Sequence, residues 1–87
     1  MTIENPLVTV QAAFHSAFGV DPQSITIATT PADVPAWDSM GHVALASSLE
    51  RAFGLSFDVD DLMEMEDVQK IIQVVEGKLG KAQHAAV

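Results

Sequence analysis

The chain has 87 residues, enough for one small domain but with little material for a deep substrate cleft and lids of its own. Its 12 Asp and Glu residues against 4 Lys and Arg give a formal net charge of -8, which excludes phosphate-rich partners such as DNA and RNA. Because 48% of the residues are hydrophobic and none is cysteine, we expect a folded protein without disulfides or thiolate metal sites.

The amino-terminal stretch carries no predicted targeting signal. Met-Thr-Ile-Glu-Asn-Pro lacks both the positive region and the apolar run of a secretory signal, and no stretch approaches the ~18 apolar residues of a membrane span. The absence of cysteine is compatible with a reducing compartment. We therefore expect a cytoplasmic, monomeric protein that does not bind membranes.

A first helix is predicted from Pro6 to Phe18. Asn5 is a typical capping residue, and proline fits the first helical position. Gly19 is expected to end the helix. The apolar residues at helical spacing form one face: Leu7, Val10, Phe14, Ala17 and Phe18.

A long loop is predicted between the first two helices, over residues 19–37. It contains three of the four prolines and shows no helical period. Residues 24–27 have the composition of a strand, but a lone strand has nowhere to pair, so we expect Ile25 and Ile27 to pin the loop onto the helices. A connection of this length inside a small domain indicates a functional feature.

A second helix is predicted from Ser39 to Phe53, with Asp38 as its cap and Gly54 as its end. His42 falls on its inner side and is expected to be a packed, hydrogen-bonded residue rather than a ligand or a base. Five apolar residues share the arc that should face the core: Leu45, Ala46, Leu49, Ala52 and Phe53.

A short third helix is predicted next, opened by Asp58 with Asp61 three residues later, a variant of the capping box. Leu62 is expected to point inward. Two methionines beside this helix, Met63 and Met65, are expected to fill core space.

The last helix is predicted to begin at Glu66 or Asp67 and to close with Lys78 and Gly80, where a cation complements the helix dipole. Its apolar face comprises Val68, Ile71, Ile72, Val75 and Leu79. We expect residues 1–80 to form the domain and residues 81–87 a flexible tail. The predicted fold is all-α, a small four-helix bundle with three long helices and a short third one.

Ser39 is the serine most open to special chemistry, because it begins a helix directly after an acidic cap and a long loop. A group on its oxygen would meet unpaired backbone N–H donors and the positive end of the helix dipole, which favours a phosphate diester. From position alone, however, a serine at a helix start is more often an ordinary structural residue.

The sequence does not supply the residues that a calcium loop or a hydrolase site would need. The Asp58-Val59-Asp60-Asp61 stretch resembles the start of a calcium loop, but such a loop would need an oxygen ligand at Leu62 and a glycine at Met63. A hydrolase would need a base for Ser39, and no Gly-x-Ser-x-Gly elbow or convincing His and Asp pair is present. The sequence therefore predicts no metal site and no catalytic residues.

At Asp38-Ser39-Met40, continued by the apolar pattern to Phe53-Gly54 and by the segment from Phe57-Asp58 to Leu79, the chain resembles an acyl carrier protein of the phosphopantetheine-binding family. The resemblance covers nearly the whole chain, from the first helix to Leu79. In that family a transferase attaches the phosphopantetheine of coenzyme A to the serine of an Asp-Ser-Leu motif. The thiol at the end of this arm then carries acyl groups as thioesters between enzymes.

The resemblance implies that Ser39 bears a covalent 4'-phosphopantetheine, with Asp38 and Trp37 as its motif neighbours, and that the protein has no catalytic activity of its own. Met40 replaces the usual leucine and keeps the apolar character of that position. Upstream, Pro35-Ala36-Trp37 replaces the common Leu-Gly, which should stiffen the loop and place an aromatic ring near the arm.

The second helix departs from that of housekeeping fatty-acid carriers, which has several carboxylates on its outer face. In the second helix this chain has Gly41, His42, Ala44, Ser47 and only one carboxylate, Glu50. The difference favours a carrier of a specialised polyketide, hybrid peptide or other secondary pathway. Two alternatives remain open, a peptidyl or aminoacyl carrier protein and an unmodified acidic adaptor that binds partner helices.

The same helix carries a second apolar stripe, which includes Met40 and Val43 and lies opposite its core face. Between residues 38 and 67, eight acidic residues stand against a single base, Arg51. We expect this region to bind the phosphopantetheinyl transferase and acyl-loading, condensing or tailoring enzymes with basic docking surfaces. The predicted contact residues are Met40, Val43, Ser47, Glu50, Asp58, Asp60, Asp61 and Glu64.

Overall fold

Every regular element is helical within residues 5–85, the part of the chain that the computed structural model describes. The long helices are α1 (Pro6–Phe18), α2 (Ser39–Phe53) and α4 (Val68–Ala85), and the short one is α3 (Val59–Glu64). Two single turns of 3₁₀ helix, Pro22–Ser24 and Pro31–Asp33, interrupt the loop between α1 and α2. The predicted small helical bundle is confirmed.

The predicted ends of α1 and α2 are confirmed. The Asn5 side chain caps α1, and Asp38 Oδ1 accepts a hydrogen bond from the Gly41 amide at 2.8 Å to cap α2. Gly19 and Gly54 follow the two helices with φ of 71° and 68°, a left-handed conformation that costs glycine little because it has no Cβ.

The short helix α3 begins with the expected reciprocal box. The Asp61 amide donates to Asp58 Oδ1 at 2.9 Å, and the Asp58 amide donates to Asp61 Oδ2 at 3.0 Å. Of the two candidate starts for α4, Asp67 is the cap, because its Oδ1 accepts from the Lys70 amide at 2.8 Å. Local side-chain bonds therefore set the start of both helices.

The predicted end of α4 at Gly80 is wrong, since the helix continues to Ala85. Gly80 does not adopt the positive φ of Gly19 and Gly54, so its backbone stays helical. The division into a domain of residues 1–80 and a flexible tail of residues 81–87 stays a prediction, although residues 81–85 are helical. Residues 86–87 of that tail lie outside the described part of the chain.

The core lies between α1, α2 and α4 and is closed by the long loop. Its largest buried side chains include Phe14 from α1, Leu49 from α2 and Ile71 from α4. Among the aromatic residues, Phe14 meets Phe18 and Trp37 edge to face, with ring centroids 5.8 and 5.1 Å apart. These contacts attach the end of the loop to α1, directly before α2 begins.

Two apolar residues predicted to face the core are exposed. Ile25 is buried, but 54% of Ile27 is accessible, because a turn closed by the Thr29 amide on the Thr26 carbonyl at 3.0 Å intervenes. Ala52 is also exposed, and it lies in a surface depression between α1 and α2 that is lined mainly by small side chains. None of the helices in the described residues is both long and apolar enough to span a membrane.

Candidate functional site

Ser39 is exposed and is the first residue of α2. The Asp38 carboxylate accepts from the amide of Gly41, and the Asp38 carbonyl accepts from the amide of His42 at 2.8 Å. The first amides of a helix have no intrahelical acceptor, so those of Ser39 and Met40 are the donors left at this end. A phosphodiester on the Ser39 hydroxyl would find both these donors and the positive end of the helix dipole.

Ser39 also borders an apolar cleft of about 450 Å³ between the start of α2 and the helix α3. The wall on the α2 side includes Trp37, His42 and Val43, and the α3 side contributes Val59, Leu62 and Met63. A chain attached to Ser39 therefore starts at the edge of an apolar surface rather than in bulk water.

Trp37 forms the inner wall of this cleft. Only 4% of the residue is exposed, and its indole Nε1 donates to Nδ1 of His42 at 2.8 Å. The two rings are nearly parallel, with centroids 6.1 Å apart and an angle of 15°. Trp37 is thus a core residue as well as the aromatic neighbour that the sequence places near Ser39.

His42 uses both ring nitrogens inside the protein. Because indole N–H can only donate, Nδ1 of His42 must accept, so the proton of the neutral ring lies on Nε2. Nε2 then donates to the carbonyl oxygen of Leu62 at 2.8 Å. The expectation of a packed, hydrogen-bonded histidine is confirmed, and the ring is not free to serve Ser39 as a base.

Gly41 is a site residue whose importance sequence reasoning missed. It stands four residues before Leu45, so the helical period places it at the edge of the core-facing arc, and it is half-buried beneath the end of the loop. A Cβ at this position would overlap the Ala36 carbonyl oxygen and would lie 3.1 Å from Cε1 of Phe18. The available signals were its spacing of four residues from Leu45 and the use of glycine in a helix, where alanine would be favoured by about 1 kcal/mol if there were room for its Cβ.

Val43, Val59 and Met63 are exposed apolar side chains that line the cleft, and Met40 follows Ser39 at the start of α2. Met40 and Val43 are 84% and 60% exposed, as the second apolar stripe of α2 predicts. Val59 and Met63 on α3 are 70% and 71% exposed, so the prediction that Met63 fills the core is wrong, whereas Met65 is buried. Neighbouring residues on a helix point to different sides, and on α3 it is Leu62 that packs against the core.

Several of the carboxylates predicted to meet partners are held by the protein itself. Asp61 Oδ2 lies 2.7 Å from Lys78 Nζ, and the hydrogen bond from Lys78 lowers the pKa of Asp61 while it raises the pKa of Lys78. Glu50 Oε2 accepts from the Phe57 amide at 2.9 Å and is half-buried. These groups stabilise the connections of α3.

Other predicted contact residues point to solvent. Ser47 on α2 and Asp60 and Glu64 on α3 are exposed, as is Asp58, whose side chain also caps α3. Among residues 5–80, whose side chains the structure describes, no three His, Cys, Asp or Glu side chains come together to hold a metal ion.

The family model for the phosphopantetheine attachment site matches residues 8–75. The chain therefore belongs to the phosphopantetheine-binding carrier family, whose domain carries a covalently attached 4'-phosphopantetheine. Domains of this family are non-catalytic carriers that interact with a phosphopantetheinyl transferase and with biosynthetic enzymes. No curated protein matches the chain.

Proposed function

We propose that this protein is an acyl carrier protein that bears 4'-phosphopantetheine on Ser39 and shuttles thioester-bound acyl intermediates between enzymes. The observation that carries the proposal is the position of Ser39, exposed at the start of α2 beside open amides and an apolar cleft, within a family whose cofactor is attached to the chain. The protein itself catalyses nothing in this function.

The residues around Ser39 hold it ready for modification. Asp38 caps α2 and so fixes the first turn, which keeps the hydroxyl at the protein surface. Trp37 anchors the preceding loop in the core. The bound arm would supply the thiol that forms the thioester, and the chain would supply a rigid point of attachment.

The pathway we favour is a specialised one, such as polyketide, hybrid peptide or another secondary route, in a cytoplasmic and monomeric carrier. Support comes from α2, where Glu50 is the one carboxylate and is bonded to the Phe57 amide. A surface with so few carboxylates on this helix differs from that of housekeeping fatty-acid carriers. A peptidyl or aminoacyl cargo is the alternative within the same class.

The first experiment is co-expression with a broad-specificity phosphopantetheinyl transferase, followed by intact-mass measurement. We expect the protein to gain the mass of one phosphopantetheinyl group, and Ser39→Ala to gain none, because the acceptor oxygen is absent. Ser47→Ala, an exposed serine two turns further along α2, is the matched control and should be modified as fully as the parent protein. An unmodified parent would favour the acidic adaptor, and a label on Ser47 would contradict the site.

The proposed docking surface comprises the exposed residues Met40, Val43 and Ser47 of α2 and Asp60 and Glu64 of α3, of which Val43 lines the cleft. Apolar side chains at its centre would be covered by a partner, while the two carboxylates would face basic groups. Asp58, Asp61 and Glu50 belong to the same region, but their main contribution is to hold α3 and its connection.

Met40→Glu tests this docking surface. Because Met40 is 84% exposed, the free energy of unfolding should change by no more than about 0.5 kcal/mol. Desolvating the new charge should slow modification of Ser39 at low carrier concentration by roughly ten-fold or more. Val8→Glu is the control, since Val8 is 58% exposed on α1, and it should leave the rate unchanged. A large loss of stability with a normal rate would mean that Met40 is a core residue.

A further inference from the structure

A chain of hydrogen bonds runs from the loop before Ser39 to the far end of α3. Trp37 Nε1 donates to His42 Nδ1, and His42 Nε2 donates to the Leu62 carbonyl. The donor–acceptor distance is 2.8 Å in both bonds. These two hydrogen bonds run along the inner wall of the cleft, since all three residues line it. They are therefore placed to control how far α3 lies from the start of α2.

The Leu62 carbonyl needs a partner from outside α3. It is among the last four carbonyls of a helix that ends at Glu64, and such carbonyls have no intrahelical donor. The amide of Glu66, four residues on, donates to the Glu64 carbonyl instead, and the Met65 amide donates to Asp61. His42 thus caps the carboxyl end of α3 from a different helix.

The other end of α3 is held differently. Asp61 of α3 is bonded to Lys78 of α4, and the Asp58 and Asp61 box closes the first turn. A six-residue helix is too short to be stable by itself, so its position depends on such bonds. Besides the bond from His42, α3 is held to α2 by the packing of Leu62 and by the bond from the Phe57 amide to Glu50 in the connection before it.

We propose that His42 is a positioning residue, which locks α3 against α2 and so fixes the rim of the cleft from which enzymes approach Ser39. The proposal rests on the proposed function, because the enzymes in question are those that modify Ser39 or act on its cargo. Val43 lies on the α2 side of this rim, and Val59 and Met63 lie on the α3 side. Without the hydrogen bond from His42 to Leu62, α2 and α3 would each stay folded, but the distance between them would no longer be fixed.

The first test uses the unmodified protein and measures the two hydrogen bonds of His42 directly. At about pH 8, where an ordinary histidine is neutral, ¹⁵N NMR should show His42 as the Nε2–H tautomer, and the Trp37 indole proton should exchange slowly. A freely exchanging tautomer pair, or the Nδ1–H form, would overturn the proposal. This result does not depend on whether Ser39 is modified.

The second test compares substitutions that keep one bond each. The amide nitrogen of Gln reaches the position of histidine Nε2, so His42→Gln keeps the donor to Leu62, whereas the oxygen of Asn takes the position of Nδ1, so His42→Asn keeps the acceptor for Trp37. His42→Leu keeps volume and removes both. Exchange of the Leu62 and Met65 amides should quicken roughly five-fold in the Asn and Leu variants, the factor of one net hydrogen bond, and stay near the parent value with Gln.

The third measurement is the kinetics of Ser39 modification by the transferase. In the Leu and Asn variants the KM for the carrier should rise by roughly five-fold with kcat within about two-fold, because Ser39 and its helix start are unchanged while the rim is not. The Gln variant should restore the parent KM. A parent KM in the Leu variant, or a Gln variant that behaves like Leu, would overturn the proposal even if Ser39 is fully modified. Absence of modification in the parent would instead contradict the proposed function.

Discussion

Replacing Gly41 with alanine is expected to destabilise the fold by about 1–3 kcal/mol, although alanine is the better helix former by about 1 kcal/mol. The added methyl group would overlap the Ala36 carbonyl oxygen, which is backbone and can move only with the loop. Phe18 restricts the other side at 3.1 Å. Because this loop leads directly into Ser39, the substitution should also slow modification. Denaturant unfolding followed by circular dichroism measures the loss of stability. The rate of mass gain measures the slower modification of Ser39.

Gly77→Ala is the matched control, since Gly77 lies within α4 and has no positive φ. Apart from its own helix backbone and chain neighbours, no heavy atom lies within 4 Å of the place that the new methyl group would take. The substitution should stabilise the protein by about 0.5–1 kcal/mol through helix propensity alone. If the free energy of unfolding falls with Gly41→Ala and rises with Gly77→Ala, packing rather than helix propensity determines the effect at Gly41. Stabilisation by both substitutions would show that the loop does not lie over α2 as described.

Trp37→Ala is expected to have the largest effect on stability, a loss of about 3–5 kcal/mol. The ring is 4% exposed, packs edge to face on Phe14 and donates to His42, so its removal leaves a cavity and an unpaired ring nitrogen. A chain of this length has a total stability of roughly 4–13 kcal/mol, so the variant should lose a large share of it and unfold at a clearly lower denaturant concentration. Circular dichroism is the suitable probe, because Trp37 is the one tryptophan.

Trp37→Phe separates packing from hydrogen bonding at this position. It keeps an aromatic ring against Phe14 and loses the donor to His42, so the expected cost falls to about 1–2 kcal/mol. The Phe variant should remain folded and accept modification on Ser39. A cost below about 1 kcal/mol for Trp37→Ala would contradict the burial of the ring.

Local chemistry explains why so many element boundaries could be predicted. Asp38 caps α2, Asp58 and Asp61 cap α3, and Gly54 takes the left-handed conformation after α2. Each of these effects involves atoms a few residues apart, so the pattern of residue types suffices to locate it. Gly80 shows the limit of this reasoning, because a glycine near a helix end need not adopt a positive φ, and α4 continues to Ala85.

Part of the candidate site can also be predicted from interactions between residues close together in the chain. The start of α2 at Ser39 and the exposure of Met40 follow from capping and helical period. The cleft could not be predicted, because it depends on where α3 lies against α2. Met63 was misplaced because a six-residue helix is too short for a period to show which side faces inward.

By itself, the amino-acid sequence determined the helical class, the caps, the greater part of the core and the family to which the chain belongs. Only the tertiary structure decided that Gly41 lies beneath the Ala36 carbonyl, that His42 joins Trp37 to Leu62, and that Glu50 is bonded within the chain. The physical reason is that each of these contacts joins two different elements, a helix with a loop or one helix with another, even where the residues are only 5 or 7 positions apart. Bonds such as that between His42 and Leu62 join different helices, and their geometry depends on packing that neither periodicity nor local propensity specifies.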